Sequence, residues 1–389
     1  MPITTALGTT CVRLICETAG ETVPRRSVVV RCGGIGARDA LMLPRELRMR
    51  HRLAACSWNA CRFLAIGVCV GVCGIFQAKV EAEPVAILLT SHDAYRSAAA
   101  AAEKVLTEKG HQVTLYELPR QASVATVPSS SWSAEDSSLD AEMADLMERV
   151  EGTKPVAIVT MGERATLMAL ARIGEVPVVY SMVTNAPDFV LTQPDHPLHS
   201  WVAGVTTDIQ PKTQLEWIAK VQPQARTIGV LHSQRSQQTA EAIRRTGDGL
   251  GLKVVLIETS RDDFAKGMEE LTRSGCDGLL MISDAQVYTR ETVKPVLLWG
   301  LRQKKSVWTF SSNLVKSGAL GSLYADYSSI GRQTADIALR VIKTGKASKI
   351  GLEYPKEVKK AINERTASMI GLSISTLVLN EAQSLYGKE

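Results

Sequence analysis

The sequence predicts an α/β protein with two doubly wound, Rossmann-like lobes, whose parallel sheets are joined by a hinge. From residue 84 onward, short apolar runs rich in β-branched residues alternate with helical stretches, which is the pattern of repeated βα units. The strands predicted from these runs are mostly apolar on both faces, as expected for parallel sheets that helices cover on both sides. A long loop with three prolines, residues 182–203, divides the alternation into two series, and we therefore expect two lobes.

The first series opens with a buried strand, and an Ala-rich helix follows it until Gly110. The predicted strands of this series are 84–90, 112–117, 155–160 and 177–181, and the predicted helices are 94–109, 139–150 and 163–173. The polar, Ser-rich segment 119–138 is predicted to be a loop.

The second series repeats the pattern, and Gly345 ends its last helix. Its predicted strands are 227–231, 253–257, 277–282, 306–310 and 319–324, and its predicted helices are 211–221, 238–250, 262–273, 289–303 and 330–343. We expect residues 84–205 with about 314–345 to form one lobe. Residues 206–313 with about 346–389 are expected to form the other.

Residues 49–82 have the pattern of a secretory signal peptide. Arginines flank Met49, residues 63–76 carry no charge, and Val80-Glu81-Ala82 places short side chains at a cleavage position. The apolar run is too short for an ordinary membrane span. We therefore expect export to the periplasm, with cleavage after Ala82.

The segment before the signal is unusual, because a signal peptide normally begins near the N-terminus. Residues 1–48 are therefore interpreted as a misassigned or unstructured extension. Lipid anchoring at Cys69 or Cys73 is the less favoured alternative to soluble export, since neither cysteine follows a small residue.

The leader carries the basic excess of the chain. Residues 1–82 hold 11 of the 45 Lys and Arg and 5 of the 40 Asp and Glu, which leaves 34 basic and 35 acidic residues. A net charge of −1 after residue 82 argues against nucleic acid as a partner. Seven of the eight cysteines also lie in the leader, so the mature chain keeps Cys276 alone and cannot form an internal disulfide.

The motifs of common enzymes are missing from the sequence. It has no phosphate-binding glycine-lysine loop, dinucleotide glycine fingerprint, nucleophile elbow or paired-histidine zinc helix, so we expect no enzyme activity and no cofactor. His196 and His199, with Asp195, can be drawn as a metal site. Loop histidines this close are more often solvated, and no metal site is expected.

Polar residues follow the ends of the predicted strands, where ligands bind in open α/β sheets. The residues that we predict to bind a small polar ligand are Ser91, Tyr95, Gly162, Glu163, Met182, Val183, Thr184, Ser233, Arg235, Asp284 and Asp326. Helix capping is the alternative for each Ser, Thr or Asp taken singly.

Asp284 and Asp326 are the predicted partners of a ligand ammonium, and Arg235 is the predicted partner of a ligand carboxylate. Capping and solvation are the alternatives for Asp326 and Arg235. Five aromatic side chains could stack on a ligand: Tyr95, Tyr180, Tyr288, Tyr324 and Trp308. Tyr180 and Trp308 lie within strands, and core packing is expected for them.

Four stretches, 177–182, 202–205, 222–231 and 318–327, resemble the ABC-transporter substrate-binding proteins of the family with tryptophan- and tyrosine-binding members. The resemblance covers about 84–376. It implies a type I periplasmic-binding fold with three crossovers, and delivery of a small solute, such as an amino acid, to a membrane permease and ATPase. Where the family commonly has Tyr-Asn-Pro, this chain has His232-Ser233-Gln234, so the identity of the ligand does not carry over.

We therefore expect a monomeric, non-enzymatic solute-binding protein that closes its lobes over a small-molecule ligand. One alternative is a periplasmic sensor subunit of the same fold that signals to a membrane kinase or cyclase. The other is an exported α/β enzyme. Neighbouring permease and ATPase genes would favour transport, and a neighbouring kinase gene would favour sensing.

Overall fold

The computed structural model describes residues 82–118, 141–172, 176–188 and 197–387. The predicted extension, the predicted signal peptide up to residue 81 and the predicted loop 119–138 lie outside these residues. Asp195 and His196 of the metal site considered above also lie outside them.

The first half of the described chain is a series of βα units. In chain order it contains β1 (Pro84–Thr90), α1 (Asp93–Glu108), β2 (Gln112–Leu118), α2 (Ala141–Gly152), β3 (Ala157–Met161), α3 (Glu163–Arg172), β4 (Val178–Val183) and β5 (Val202–Thr206). A 3₁₀ turn at Ala186–Asp188 and another at Pro197–Trp201 lie between β4 and β5.

The second half continues the alternation and ends in short elements. In chain order it contains α4 (Pro211–Val221), β6 (Thr227–His232), α5 (Gln237–Leu250), β7 (Lys253–Glu258), α6 (Phe264–Arg273), β8 (Gly278–Leu280), α7 (Arg290–Gln303), β9 (Ser306–Thr309), α8 (Ser312–Lys316), β10 (Gly321–Ala325), α9 (Tyr327–Thr344), β11 (Leu352–Glu353), β12 (Val358–Asn363), α10 (Glu364–Ile370), α11 (Thr376–Leu379) and β13 (Ser384–Tyr386). None of the helices in the described ranges is both long enough and apolar enough to span a membrane.

The first sheet has the order β11-β5-β4-β3-β1-β2, and all its pairs are parallel. Strand β1 is buried on both faces, as its continuous apolar run predicts. Val85, Ile87 and Leu89 pack in a cluster with α1 and α9, whereas Ala86 and Leu88 pack in a cluster with α2 and α3. The predicted parallel sheet covered by helices on both faces is thus confirmed.

Helix α9 packs against the first sheet, although it follows β10, which is a strand of the second sheet. A side chain on Gly331 would place its Cβ 2.1 Å from the carbonyl oxygen of Ala98 in α1, so only glycine allows the two helices to approach this closely. Val341 and Ala338, further along α9, are fully buried in the same cluster. A C-terminal helix therefore completes the core of the N-terminal sheet.

The second sheet has the order β13-β12-β10-β9-β8-β6-β7. Its pairs are parallel, except that β12 runs antiparallel to β10. The predicted α/β class with parallel-dominated sheets in two lobes is confirmed, and the antiparallel strand near one edge adds to it. The expectations from sequence did not include β5, β11, β12 or β13 as strands.

The chain passes between the two sheets three times: between β5 and α4, between β10 and α9, and between β11 and β12. The strand pairing differs from the predicted lobe boundaries in two segments. Residues 314–325 were placed with the first lobe, but β10 pairs with β9 in the second sheet. Residues 352–353 were placed with the second lobe, but β11 pairs with β5 in the first sheet.

Candidate ligand-binding site

A cavity of about 500 Å³ lies beyond the carboxyl ends of the parallel strands, between the two sheets. Segments that follow β1, β4 and β5 form its wall in the first lobe. Helices α4 and α5, strand β10 and segments that follow β8 and β9 form its wall in the second lobe. Open α/β sheets bind ligands at this position. The volume suits a small organic molecule.

Four of the predicted site residues line the cavity: Tyr95, Met182, Thr184 and Asp326. Met182 lies where the pairing of β4 with β5 shifts, and its φ of 58° is in the left-handed region. Such strain in a residue other than glycine is concentrated at functional sites. The ring of Tyr95 lies 5.5 Å from that of His92. Burial raises the pKa of Tyr95, so its hydroxyl keeps its proton for hydrogen bonding.

Three of the other predicted residues support the cavity without lining it. Gly162 has a φ of +89°, and a Cβ there would lie 2.9 Å from the ring of Tyr95. This glycine therefore leaves room for the tyrosine ring. The hydroxyl of Ser91 accepts a hydrogen bond of 2.8 Å from Arg96. Val183 is buried in the core of the first lobe.

The predicted residues Glu163 and Arg235 form an ion pair that joins the lobes. The Arg235 guanidinium donates to both carboxylate oxygens of Glu163, at 3.0 and 3.2 Å. Both side chains are partly buried. Burial raises the pKa of Glu163, and the adjacent Arg235 opposes that rise. Arg235 was predicted to clamp a ligand carboxylate, but here its charge is matched by a carboxylate of the opposite lobe.

Asp284 is engaged by the protein itself, together with the predicted residue Ser233. Oδ2 of Asp284 accepts from the backbone N–H of Ser233 at 2.9 Å, from its hydroxyl at 2.7 Å, and from the hydroxyl of Ser236 at 2.5 Å. Oδ1 accepts from the backbone N–H of Gln286 at 2.8 Å. Only 4 % of Asp284 is exposed. Its carboxylate therefore holds the loop after β6 against the loop after β8, and it does not line the cavity.

Asp326 lines the cavity but is also engaged. Its Oδ2 caps α9 by accepting from the backbone N–H of Ser329 at 3.1 Å, and its Oδ1 accepts from Lys359 Nζ at 2.9 Å. The hydrogen bond from Lys359 holds the pKa of Asp326 below its usual value. Asp326 therefore caps a helix, which was the alternative to ligand binding considered from the sequence, and Lys359 already neutralises its charge.

Asp208 is the cavity carboxylate that the predictions missed. It follows β5, it lines the cavity, and no basic side chain in the described part of the chain forms an ion pair with it. Its Oδ2 accepts from the Thr206 hydroxyl at 2.7 Å and from the backbone N–H of Ala186 at 3.2 Å. Burial outweighs these bonds and raises the pKa of Asp208 to about 6. A cationic ligand group would supply the missing compensation.

Several aromatic side chains line this cavity. Phe310 and Tyr327 line it with 38 % and 46 % of their surfaces exposed, which is unusual for large apolar side chains. Tyr95 lies near Tyr327. Of the aromatic residues considered from sequence, Tyr324 and Trp308 also line the cavity, whereas Tyr180 and Tyr288 are buried and do not line it.

Two further contacts join the lobes beside the cavity. The Asn185 side-chain amide donates to the Ser283 carbonyl oxygen at 2.6 Å. The carboxylate of Asp188 accepts from the backbone N–H groups of Gln238 and Thr239, at 2.6 and 2.9 Å, and from the Thr239 hydroxyl at 2.7 Å. An acidic side chain of the first lobe thus caps α5 of the second.

Acidic, histidine and cysteine side chains do not gather into a metal-binding group anywhere in the described residues. Cys276, the cysteine outside the leader, is buried in the core of the second lobe.

The comparisons with known proteins agree with this architecture. The model of the family described as "ABC transporter substrate binding protein" matches residues 122–386, which is more than half of the chain. Among curated proteins, no sequence is similar enough to count as a match.

Three solved structures are similar in fold. An ABC domain in complex with L-Trp from Streptococcus pneumonia is 20 % identical with a TM-score of 0.52, and the match covers 78 % of this chain and all of that one. A conserved domain protein from Vibrio cholerae O1 biovar El Tor is 19 % identical with a TM-score of 0.54, over 78 % of this chain and all of that one. A ligand-free, open substrate-binding protein with adhesive properties from Clostridium difficile is 17 % identical with a TM-score of 0.58, over 79 % of this chain and all of that one. At these identities the similarity establishes the fold.

Proposed function

The chain belongs to the ABC-transporter substrate-binding protein family, and we propose that it binds a small amine-bearing solute, an amino acid or a related molecule, between its lobes. The protein is exported to the periplasm, and its loaded, closed form docks on a membrane permease with its ATPase. It acts as a binding protein and carries out no chemical reaction on the solute.

The observation that carries this proposal is that Asp208 lines the cavity and forms no ion pair with a basic side chain of the described residues. The Asp208 carboxylate has no basic partner among the described residues, and its hydrogen bonds from Thr206 and Ala186 only partly replace the hydration that burial removes, so its charge disfavours the ligand-free form. An ammonium group in the cavity would restore that lost stabilisation through a charge-assisted hydrogen bond. By contrast, Asp284 does not line the cavity and is held by four hydrogen bonds from the protein, and the charge of Asp326 is matched by Lys359.

The walls around Asp208 support the same class of ligand. The exposed rings of Phe310 and Tyr327, with Tyr95 beside them, can stack on an apolar group or lie against a cation. The structurally similar ABC domain from Streptococcus pneumonia binds L-Trp, an aromatic amino acid with an ammonium group. The similarity in fold does not extend to the identity of the solute, and the amine is the feature that the cavity of this chain supports.

The contacts that flank the cavity would stabilise a closed arrangement of the two lobes. The three connecting segments allow the lobes to rotate as rigid bodies, as in hinge closure around a ligand. The pair Glu163–Arg235 and the cap that Asp188 places on α5 would form as the lobes approach. These contacts would stabilise the closed form that the transporter recognises.

Calorimetric titration with matched ligand pairs tests this function. Amino acids and simple primary amines are compared with analogues in which a hydroxyl or a methyl group replaces the amine. We expect saturable one-to-one binding only for ligands that carry the amine. The substitution Asp208→Asn should abolish this binding. Asp326→Asn is the control, since that carboxylate lines the same cavity but is paired with Lys359. Equal affinity for both members of each pair, or undiminished binding by the Asp208 variant, would contradict the proposal.

Uptake by whole cells distinguishes transport from sensing. If the chain feeds a permease, deletion of its gene should abolish uptake of the labelled amine that the purified protein binds. Unchanged uptake, with a loss of the cellular response to that amine, would favour the sensor alternative.

A further inference from the structure

Helix α5 is not capped by the chain segment that precedes it. Its N-cap residue, Ser236, makes no side-chain hydrogen bond to the helix, and its hydroxyl instead donates to Oδ2 of Asp284. An N-cap side chain normally accepts from the backbone N–H of the second or third helical residue, which in α5 are Gln238 and Thr239. These two N–H groups therefore need an acceptor from another part of the protein.

The acceptor is Asp188, which belongs to the opposite lobe. One carboxylate oxygen of Asp188 accepts from the Gln238 N–H at 2.6 Å, and the other accepts from the Thr239 N–H at 2.9 Å and from the Thr239 hydroxyl at 2.7 Å. The negative charge also lies at the positive end of the helix dipole. Burial raises the pKa of Asp188 and these bonds oppose that rise, so the lost hydration offsets part of the gain. Asp188 thus makes, from the first lobe, the bonds that Ser236 would otherwise make.

The segment that carries Asp188 also adjoins the cavity. It consists of residues 185–188, which we call the latch segment, and its last three residues form a 3₁₀ turn. Its backbone N–H at Ala186 donates to Oδ2 of Asp208 at 3.2 Å. Its first residue, Asn185, donates from the side chain to a carbonyl oxygen of the second lobe at 2.6 Å. Asp188 itself does not line the cavity. The latch segment therefore contacts both the cavity carboxylate and the second lobe.

We infer that the latch segment couples the cavity to closure of the lobes. The cap on α5 exists only while the lobes are together, because the helix and its acceptor belong to different lobes. A solute that brings the lobes together therefore gains the cap, whatever its own structure. An amine bound at Asp208 would in addition keep that carboxylate charged, which strengthens the hydrogen bond from the Ala186 N–H and thereby orders the latch segment. This second step rests on the proposed amine site, whereas the first does not.

Amide hydrogen–deuterium exchange of the full chain tests the cap without any ligand. In Asp188→Ala the amides of Gln238 and Thr239 should exchange roughly tenfold faster than in the wild type, because their acceptor is gone. Asp188→Asn keeps one acceptor oxygen and should have an intermediate effect. Asp248→Ala is the matched control, since it removes an exposed carboxylate near the other end of α5 and should leave both amides unchanged. A cooperative urea transition would show that each variant folds.

Affinity and shape test the link between the cap and closure. Asp188→Ala should weaken butylamine and phenethylamine by the same factor, roughly threefold to thirtyfold, which is the range for loss of a helix cap. The loss should lie mainly in faster dissociation of the amine. In small-angle scattering without ligand, Asp188→Ala should have a larger radius of gyration than the wild type and than Asp248→Ala.

The coupling through Asp208 is tested on the wild-type protein. Saturating butylamine should slow the exchange of the Gln238 and Thr239 amides at least roughly threefold, and leave the amides in the last turn of α5 unchanged.

The outcomes separate the latch from the proposed function. Unchanged exchange at Gln238 and Thr239 in Asp188→Ala would overturn the cap. Faster exchange with an unchanged amine affinity and an unchanged radius of gyration would show that Asp188 only stabilises α5, which would overturn the latch. Bound butylamine that does not slow this exchange would overturn the coupling through Asp208. Failure of every amine to bind would overturn the proposed function and that coupling, while exchange and scattering of the ligand-free protein would still decide the latch.

Discussion

The substitution Asp208→Asn should raise the stability of the ligand-free protein while it removes ligand binding. The pKa of Asp208 rises from 3.8 to about 6 on folding, because burial penalises the charged form. Each pKa unit corresponds to about 1.4 kcal/mol, so the charged carboxylate destabilises the folded state by up to about 3 kcal/mol at neutral pH. Asparagine keeps an acceptor for the Thr206 hydroxyl and carries no charge.

The sign of this effect depends on pH. Between pH 3.8 and about 6 the folded state holds its Asp208 proton more tightly than the unfolded chain does, so wild-type stability falls as the pH rises through this window. Above it the full destabilisation persists, and below it the carboxyl is protonated in both states. The advantage of the asparagine variant should therefore be largest at pH 8 and nearly absent at pH 4.

Urea unfolding of both proteins at pH 8 and pH 4, in the absence of ligand, measures this difference. We expect the variant to gain between about 1 and 3 kcal/mol at pH 8, and to lose affinity for the amine at least roughly a hundredfold, because a desolvated charge partner is gone. A variant that is less stable than wild type at pH 8, or a gain of equal size at both pH values, would refute the reasoning.

Four further predictions concern the cavity, the contacts beside it and the leader. Amine binding should weaken as the pH falls through about 6 and should release protons to the buffer between pH 5 and 6, because the ligand cation favours the charged form of Asp208; titrations in two buffers of different ionisation enthalpy would detect this, and a binding heat independent of the buffer would exclude it. Glu163→Gln should lower amine affinity by a factor of about 1.5 to 5, since the pair with Arg235 is partly exposed, and small-angle scattering should show fewer closed molecules; an unchanged affinity would exclude a role in closure. Gly162→Ala should lower the free energy of unfolding by about 1–3 kcal/mol, because φ is +89° and the new Cβ would lie 2.9 Å from the Tyr95 ring, and an unaffected unfolding midpoint would contradict that geometry. The exported protein should begin near Glu83, which N-terminal sequencing checks, and a start far from this residue would undo the cleavage boundary.

Much of the fold could be predicted, because βα units leave a strong local pattern. Strand β1 was predicted with its observed ends, since a continuous apolar run can be buried on both faces only in a covered sheet. Strand β5 was missed because it is short, contains Gly204 and follows a proline-rich loop. Strands β11 and β13 have two and three residues, too few for any periodicity to appear.

The site was harder to predict than the fold, because similar local sequences end in different surroundings. Ser283-Asp284 and Thr207-Asp208 both place an aspartate after a strand. Only the folded chain shows that Ser233 and Ser236, about 50 residues away, converge on Asp284. It also shows that Lys359 reaches Asp326, whereas no basic side chain in the described ranges pairs with Asp208. Which carboxylate is left for a ligand is decided by tertiary contacts.

Native mass spectrometry of the protein isolated from its own cells is the most direct test of the claim that it is a solute-binding protein for an amine. The proposal predicts one small molecule with a basic amine per chain, present in the wild-type protein and in Asp326→Asn but absent from Asp208→Asn. A wild-type protein that carries no small molecule, and whose unfolding temperature is raised by none of the titrated amines, would contradict it.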